Sequence, residues 1–249
     1  MSRSRIGRFL YLMRNIRSKE LFRALRRDCR GDVLDVGGWD FYRTATRENV
    51  SFNTWTVLET EESKVSESRD AKVRFVLGDG CHMDFQDNSF DTVLNIQVLE
   101  HVMEPLAMID EMARVLRNGG RLICLIPQTS TLHMVPNHYY NFTRFWAKES
   151  LQRAGLRVVE IKPLGGFWSS MASHLVYFFL QSIRSPGKSS RECSRNGFFY
   201  LFYPLMVLFS LFAVPVCLLF SIGDLTEEPN NHLVIAEKCG ETQGGTGRM

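Results

Sequence analysis

Acidic side chains stand where three short apolar runs end. Asp35-Val-Gly-Gly-Trp-Asp40 closes the first, Thr56-Val-Leu-Glu59 the second, and Gly78-Asp79-Gly80 the third. A turn carrying two carboxylates repels a pyrophosphate and suits a cationic ligand instead. Gly37 and Gly38 let the backbone come close to that ligand. The turn also lacks the third glycine of the GxGxxG dinucleotide signature. Glu59 lies about twenty residues beyond the turn, where an acid accepts from both hydroxyls of a ribose, with Glu61 and Glu62 as near competitors. Asp40 serves equally well as a helix cap.

A second group is less acidic and more basic. Asn95-Ile-Gln-Val-Leu-Glu-His101 follows a fourth apolar run. In an open parallel sheet ligands lie beyond the carboxyl ends of the strands, so Asn95 and Gln97 are expected to border a bound cofactor. His101 is a candidate general base, with a helix start that merely packs Glu100-His101 as the alternative. Downstream, Pro127 to Phe145 carries His133, His138, Tyr139, Tyr140 and Arg144. Tyr139, Tyr140 and Arg144 suit a sugar ring or a phosphate. His138, in a loop, is the second candidate base, and Phe142 and Phe145 are expected to pack the helix that follows.

These residues need a scaffold that brings strand ends together. Apolar runs at 32–36, 54–58, 72–77, 91–96, 121–126, 157–162 and 231–237 alternate with helical patterns, which predicts a parallel sheet with crossover helices. Glu104 to Leu116 reads as a helix stopped by Gly119-Gly120, and Lys148 to Ala154 as a second, ended by Gly155. Six cysteines without CxxC spacing read as reduced thiols in a cytosolic chain and argue against a structural zinc site built from them. Residues 240–249 have the composition of a disordered tail.

Charge and hydropathy are unevenly spread. The net charge is +3, but residues 1–30 hold ten Arg or Lys against Glu20 and Asp28. With Ile6, Phe9, Leu10, Leu12, Met13 and Ile16, that stretch is expected to form a basic amphipathic helix, either lying on anionic lipid or solvated. Its apolar run is too short for a secretory signal. No basic surface interleaved with aromatics continues into the main domain, which argues against nucleic acid. Two uncharged stretches, Pro163–Ile183 and Asn196–Gly223, stand outside the strand pattern. The second exceeds the roughly 30 Å of a hydrocarbon core. The strand at 231–237 must rejoin the sheet, and Arg184, Lys188, Arg191 and Arg195 between the stretches oppose translocation. With Pro204 and Pro215 also present, an apolar helical pair dipping into one leaflet is expected; a homodimer interface or a lid is the alternative.

Taken together, the motifs Val33-Leu-Asp-Val-Gly-Gly38, Gly78-Asp-Gly80, Asn88-Ser-Phe-Asp-Thr-Val-Leu94, Val98-Leu-Glu-His-Val102 and Val115-Leu-Arg-Asn-Gly-Gly-Arg-Leu122 resemble the class I S-adenosylmethionine-dependent methyltransferases. The resemblance covers roughly 31–163 and returns near 231–238. It implies an α/β, Rossmann-like sheet of seven mostly parallel strands, with an apolar helical insert before the last one. It also implies S-adenosylmethionine as cofactor, whose sulfonium and ammonium suit the acid-lined turn. Asp35, Gly37, Gly38, Glu59, Asp79, Gly80, Asn95 and Gln97 then become cofactor contacts, Asp79 accepting from the adenine amino group, and Cys81 and His82 neighbours of that pocket. Methyltransferases of quinone precursors in the family bind a divalent metal through an acid at the position of Gln97, a second acid and the histidine. The glutamine here predicts no metal.

Tyr139-Tyr-Asn-Phe-Thr-Arg-Phe145, with Ser150-Leu151 and Ala154-Gly-Leu156, is similar to methyltransferases of bacterial cell-surface glycan synthesis, although their Arg-Phe-Thr order is Phe-Thr-Arg here. The expected organisation is a basic helical segment at 1–30, a methyltransferase core at 31–163, the apolar insert at 164–224, the closing strand within 225–239 and the tail. The expected activity is O-methylation of a small-molecule or lipid-linked glycan acceptor at the cytoplasmic face of a membrane. The alternatives are a quinone or isoprenoid precursor as acceptor, or a cofactor-binding assembly protein without turnover.

Overall fold

The computed structural model describes residues 18–65, 70–182 and 196–240. Seven strands form one sheet: β1 (Asp32–Val36), β2 (Thr54–Glu59), β3 (Val73–Leu77), β4 (Phe90–Ile96), β5 (Leu116–Pro127), β6 (Leu156–Leu164) and β7 (Asn231–Lys238). Their order is β3-β2-β1-β4-β5-β7-β6. The first five pair in parallel, and β7 runs antiparallel between β5 and β6. Chain direction therefore switches sides between β1 and β4, which puts the loops after both strands at one crevice.

Alternation along the strands divides the core into two layers. Leu34, Leu58, Val93 and Leu122 face helices α3 (Pro105–Val115) and α4 (Arg144–Arg153), where Ile109, Met112, Ala147 and Leu151 are buried. Val33, Trp55, Val57 and Ile123 face the other way, onto helix α1 (18–28) and helix α2 (Phe41–Arg47). Pro105 opens α3, where its missing N–H costs nothing. The Thr143 hydroxyl accepts from Trp146 N–H, so α4 starts at Arg144, four residues before the expected Lys148.

One expectation is corrected. The expected turn at Gly119-Gly120 is not what ends α3: the chain passes from Val115 straight into β5, and the glycines absorb a register shift against β4. Gly119 adopts φ +77, which a side chain would resist, and a Cβ on Gly120 would stand 2.8 Å from the Arg117 carbonyl. Of the basic leader, 1–17, with all the apolar residues of the expected amphipathic helix, lie outside the described residues. The remainder, α1, buries Leu21, Phe22, Ala24 and Leu25 in the core. Arg26 pairs with Glu48, Arg27 with Glu160, and Glu20 with Lys162.

Between β6 and β7 the chain forms an antiparallel pair, α5 (Phe167–Ser182) and α6 (Gly197–Phe220). Trp168 meets Phe220 edge-on at 5.0 Å, and the Ser182 and Tyr203 hydroxyls lie 2.9 Å apart. The Asp224 carboxylate accepts from the N–H groups of Trp168 and Ser169, fixing the start of α5 to the chain leaving α6. The expected basic loop between the helices, and the tail after Gly240, lie outside the described residues. Among the described residues, Gly197–Gly223 is one helix long and apolar enough to cross a membrane.

Leu25 is fully buried, so Leu25→Ala should destabilise the protein by about 2–5 kcal/mol. Urea unfolding measures this. A change near zero would mean that α1 is not part of the folded core.

Candidate functional site

The crevice begins at Asp35, the fourth residue of β1, whose side chain is fully buried. Trp55 Nε1–H donates to its Oδ2 at 3.2 Å, while Oδ1 has no hydrogen-bond partner. Gly37 follows at φ +72, its N–H bonded to the Leu58 carbonyl at 2.8 Å. A Cβ on Gly37 would meet Val98 at 2.9 Å, and one on Gly38 would overlap the Asp35 carboxylate. The two glycines thus let the turn lie against both the buried acid and the loop after β4. Glu59, at the end of β2, is buried and accepts from the Trp39 N–H at 2.7 Å.

Charge is confined here at an energetic cost. Burial pushes the Asp35 carboxyl up to about 7 from its ordinary 3.8, with the Trp55 bond opposing and the charge of Glu59 adding to the shift. Burial also raises Glu59, against the Trp39 hydrogen bond. A cationic ligand would offset this repulsion. Asp79 is more open; its Oδ1 accepts from Cys81 N–H at 2.9 Å, and the loop carrying it is pinned by Glu111, which accepts from Met83 N–H. Gly80 is a packing position, since a Cβ there would meet Met108 at 2.5 Å.

Beyond β4, Asn95 is fully buried, with Nδ2 3.4 Å from Met108 Sδ and Oδ1 without a partner. Gln97 adopts φ +59 and turns its amide to Asn231 at 2.9 Å, tying this loop to the start of β7. A 3-10 turn, Leu99–His101, then buries Glu100 completely; neither of its carboxylate oxygens has a hydrogen-bond partner. Burial pushes Glu100 up to about 7.

The long loop after β5 folds down onto this turn. Tyr139 N–H donates to the Glu100 carbonyl at 2.8 Å, and the Tyr140 hydroxyl to the Met103 carbonyl at 3.1 Å. Three histidines gather there, their ring centroids 4.5 to 5.5 Å apart. Carbonyls only accept, so His101 Nδ1 donates to Asn137 O at 2.5 Å and His133 Nδ1 to Thr131 O at 2.9 Å. Each of these rings keeps a basic Nε2. His138 does not: its Nδ1 accepts from the His133 N–H at 3.2 Å and its Nε2 faces the Tyr140 carbonyl at 3.2 Å. Burial lowers the pKa of both His101 and His138.

The structure therefore brings His101, His138, Tyr139 and Tyr140 together at the mouth of the crevice. Arg144 stands apart at the exposed start of α4, its guanidinium 5.0 Å from the Phe145 ring. Phe142 is buried and stacks on Trp146 at 4.1 Å, whereas Phe145, expected to pack inward, is 70% exposed because its position on α4 faces outward. Glu100, weighed above only as part of a packed helix start, and His133 stand with His101. No spacing rule links His133 to His101, because a loop alone sets their approach. His232 lies within the expected apolar strand; it is buried against Gln128 Oε1 at 2.6 Å, and burial with the nearby Arg144 charge lowers it to about 4.

A carboxyl whose folded pKa lies above its unfolded one contributes stability below the unfolded value and loses it as pH rises through the folded one. The unliganded protein is therefore expected to lose stability between pH 3.8 and about 7, and Asp35→Asn to lose less over that range. Urea unfolding as a function of pH reads both. An identical pH dependence in the variant would contradict the assignment.

Residues 38–124 match the family described as a methyltransferase domain. Demethylmenaquinone methyltransferase of Geobacillus sp. (strain WCH70) is 34% identical over 36% of this chain and 38% of its own length. Methyltransferase GfsG of Streptomyces halstedii is 34% identical over 42% of this chain and 41% of its own. The chain thus spans well under two thirds of the curated relatives it matches. Among solved structures, the complex of the Haloferax volcanii Trm112 methyltransferase activator with a putative methyltransferase aligns over 91% of both chains, at TM-score 0.59 and 14% identity. The [4+2]-cyclase SpnF aligns over 90% of this chain and 81% of its own, at TM-score 0.55 and 18% identity. Sheet order, glycine turn and matched motifs agree: residues 38–124 match a methyltransferase domain, and the sheet has the fold of the class I S-adenosylmethionine-dependent methyltransferases.

Proposed function

We propose that the protein transfers a methyl group from S-adenosylmethionine to an oxygen of an acceptor held at the cytoplasmic face of a membrane, a lipid-linked glycan being the acceptor class. One observation carries the methyltransferase reading: a buried acid, Asp35, with an unpartnered oxygen beneath a glycine turn and Glu59 beside it. That donor set fits a cofactor bearing a sulfonium and an ammonium. Asp35 supplies charge beneath the turn, Glu59 suits the ribose hydroxyls, and Asp79 the adenine amino group. Bound there, the cofactor supplies a methyl carbon already activated by its sulfonium, so alignment provides much of the rate. His101, with its free Nε2, is the group suited to take a proton from the acceptor.

The membrane part rests on the insert. Leu205, Phe209 and Phe212 on α6 are 63%, 60% and 72% exposed, within a run of similar side chains. A contiguous apolar surface of this kind marks a contact with lipid or protein. The insert also adjoins the acceptor loop, the Thr129 and Ser170 hydroxyls lying 3.0 Å apart. An acceptor with an apolar anchor would reach Tyr139, Tyr140 and His101 from that side. A quinone or isoprenoid precursor is the second reading, favoured by relatives named demethylmenaquinone methyltransferases.

The test supplies methyl-labelled S-adenosylmethionine to purified protein with fractionated cell extract, and counts label in lipid, aqueous glycan and protein. Label is expected in the lipid phase and lost in Asp35→Ala. The double variant Leu205→Glu, Phe209→Glu should reduce both lipid labelling and sedimentation with anionic vesicles while sparing cofactor binding. A stable dimer that ignores vesicles would overturn the membrane part, and absence of label in every fraction despite cofactor binding would overturn the enzyme.

A further inference from the structure

We infer that Glu100, His101 and His133 form a binding site for one divalent cation of the zinc class at the mouth of the crevice. One donor atom from each of the three lies within 4.8 Å of those of the other two, and Glu100 Oε1 stands 3.9 Å from His101 Nε2. Zinc is held by imidazole nitrogen and carboxylate oxygen at about 2.0–2.2 Å, which places tetrahedral donors about 3.3 Å apart. The approach still needed is at most about 1.5 Å, within reach of a side-chain rotation. His133 is well placed to make it, on a loop outside helix and strand.

Three independent features point the same way. Glu100 is fully buried, yet both its oxygens lack hydrogen-bond partners, an expensive arrangement for a carboxylate with nothing to hold. Each histidine donates Nδ1–H to a backbone carbonyl, at 2.5 Å for His101 and 2.9 Å for His133. That is the second hydrogen bond by which metal-binding histidines fix the tautomer and aim the other nitrogen. Finally, His138 uses its own ring to accept the main-chain N–H of His133, so the third histidine orients a donor rather than adding one. Two histidines and one acid leave a coordination position open, as in sites where zinc activates an oxygen.

The expectation of no metal rested on Gln97, and Gln97 is indeed turned away to Asn231. The third donor comes instead from the loop after β5. On the methyl-transfer reading above, an acceptor hydroxyl would take the open position and, made more acidic by the cation, would lose its proton to water and keep the electron pair on oxygen. His101, its Nε2 then held by the cation, would position the acceptor instead of serving as the base. Cation binding itself does not depend on that reading.

Equilibrium dialysis with Zn²⁺, and the visible spectrum with Co²⁺, would test the site on the full chain stripped of metal. One cation per chain is expected, with a Co²⁺ spectrum of low coordination number. His133→Ala should weaken binding by more than about 100-fold, since loss of an outer-shell partner alone costs up to that much. It should leave S-adenosylmethionine affinity unchanged. Glu100→Gln should also release the cation; if that buried change impairs folding, His133→Ala decides. Absence of a bound cation in the wild type, or one retained by His133→Ala, would overturn the inference. Cation binding without S-adenosylmethionine binding would leave it standing and overturn the methyltransferase reading.

Discussion

A carboxylate taken out of water must find a compensating charge or donor, or it raises the energy of the fold by several kcal/mol. Two acids at the carboxyl edge of this sheet, Asp35 and Glu100, are fully buried and each keeps an oxygen without a partner. Much of the surrounding structure follows from holding them there. Trp55 crosses from β2 to donate to Asp35, and Gly38 has no side chain because that carboxylate occupies the place of its Cβ. The loop after β5 comes down to close over Glu100, bonded to its carbonyl through Tyr139. Such an edge is arranged for positive charge, organic or metallic.

The cofactor side of this arrangement was legible in the sequence. Seven apolar runs spaced for crossovers, the first three followed by glycine or acid, place strands within a few residues of their observed bounds. The exception, β5, begins earlier because Leu116 pairs with Phe90 before the glycine bulge. Asp35, Gly37, Gly38 and Glu59 all lie at the expected strand ends, because β-strand register fixes where each end emerges. The acceptor side was not legible. His133 and Glu100 meet through a loop whose course depends on main-chain hydrogen bonds, and no side-chain pattern encodes those. For α1, the partners that turn a basic segment into core, Glu48, Glu160 and Lys162, are distant in sequence.

The insert changes how the edge is approached. α5 leaves from the end of β6 and α6 returns to the start of β7, so both helices are rooted at the carboxyl edge that carries the crevice. Hydrogen bonds to the Asp224 carboxylate bind their bases to each other, and one between Thr129 and Ser170 binds them to the acceptor loop. On the proposed function, an apolar surface so anchored would bring an acceptor in from one side and leave the cofactor turn open on the other.

The most direct test of the account is a calorimetric titration of S-adenosylmethionine into the wild type and Asp35→Asn on both sides of neutral pH. A cation prefers the ionised acid, so binding to the wild type should tighten as pH rises through about 7. The variant should bind weakly and without that dependence. Equal affinity in the two proteins, unchanged by pH, would contradict the role assigned to the buried acid.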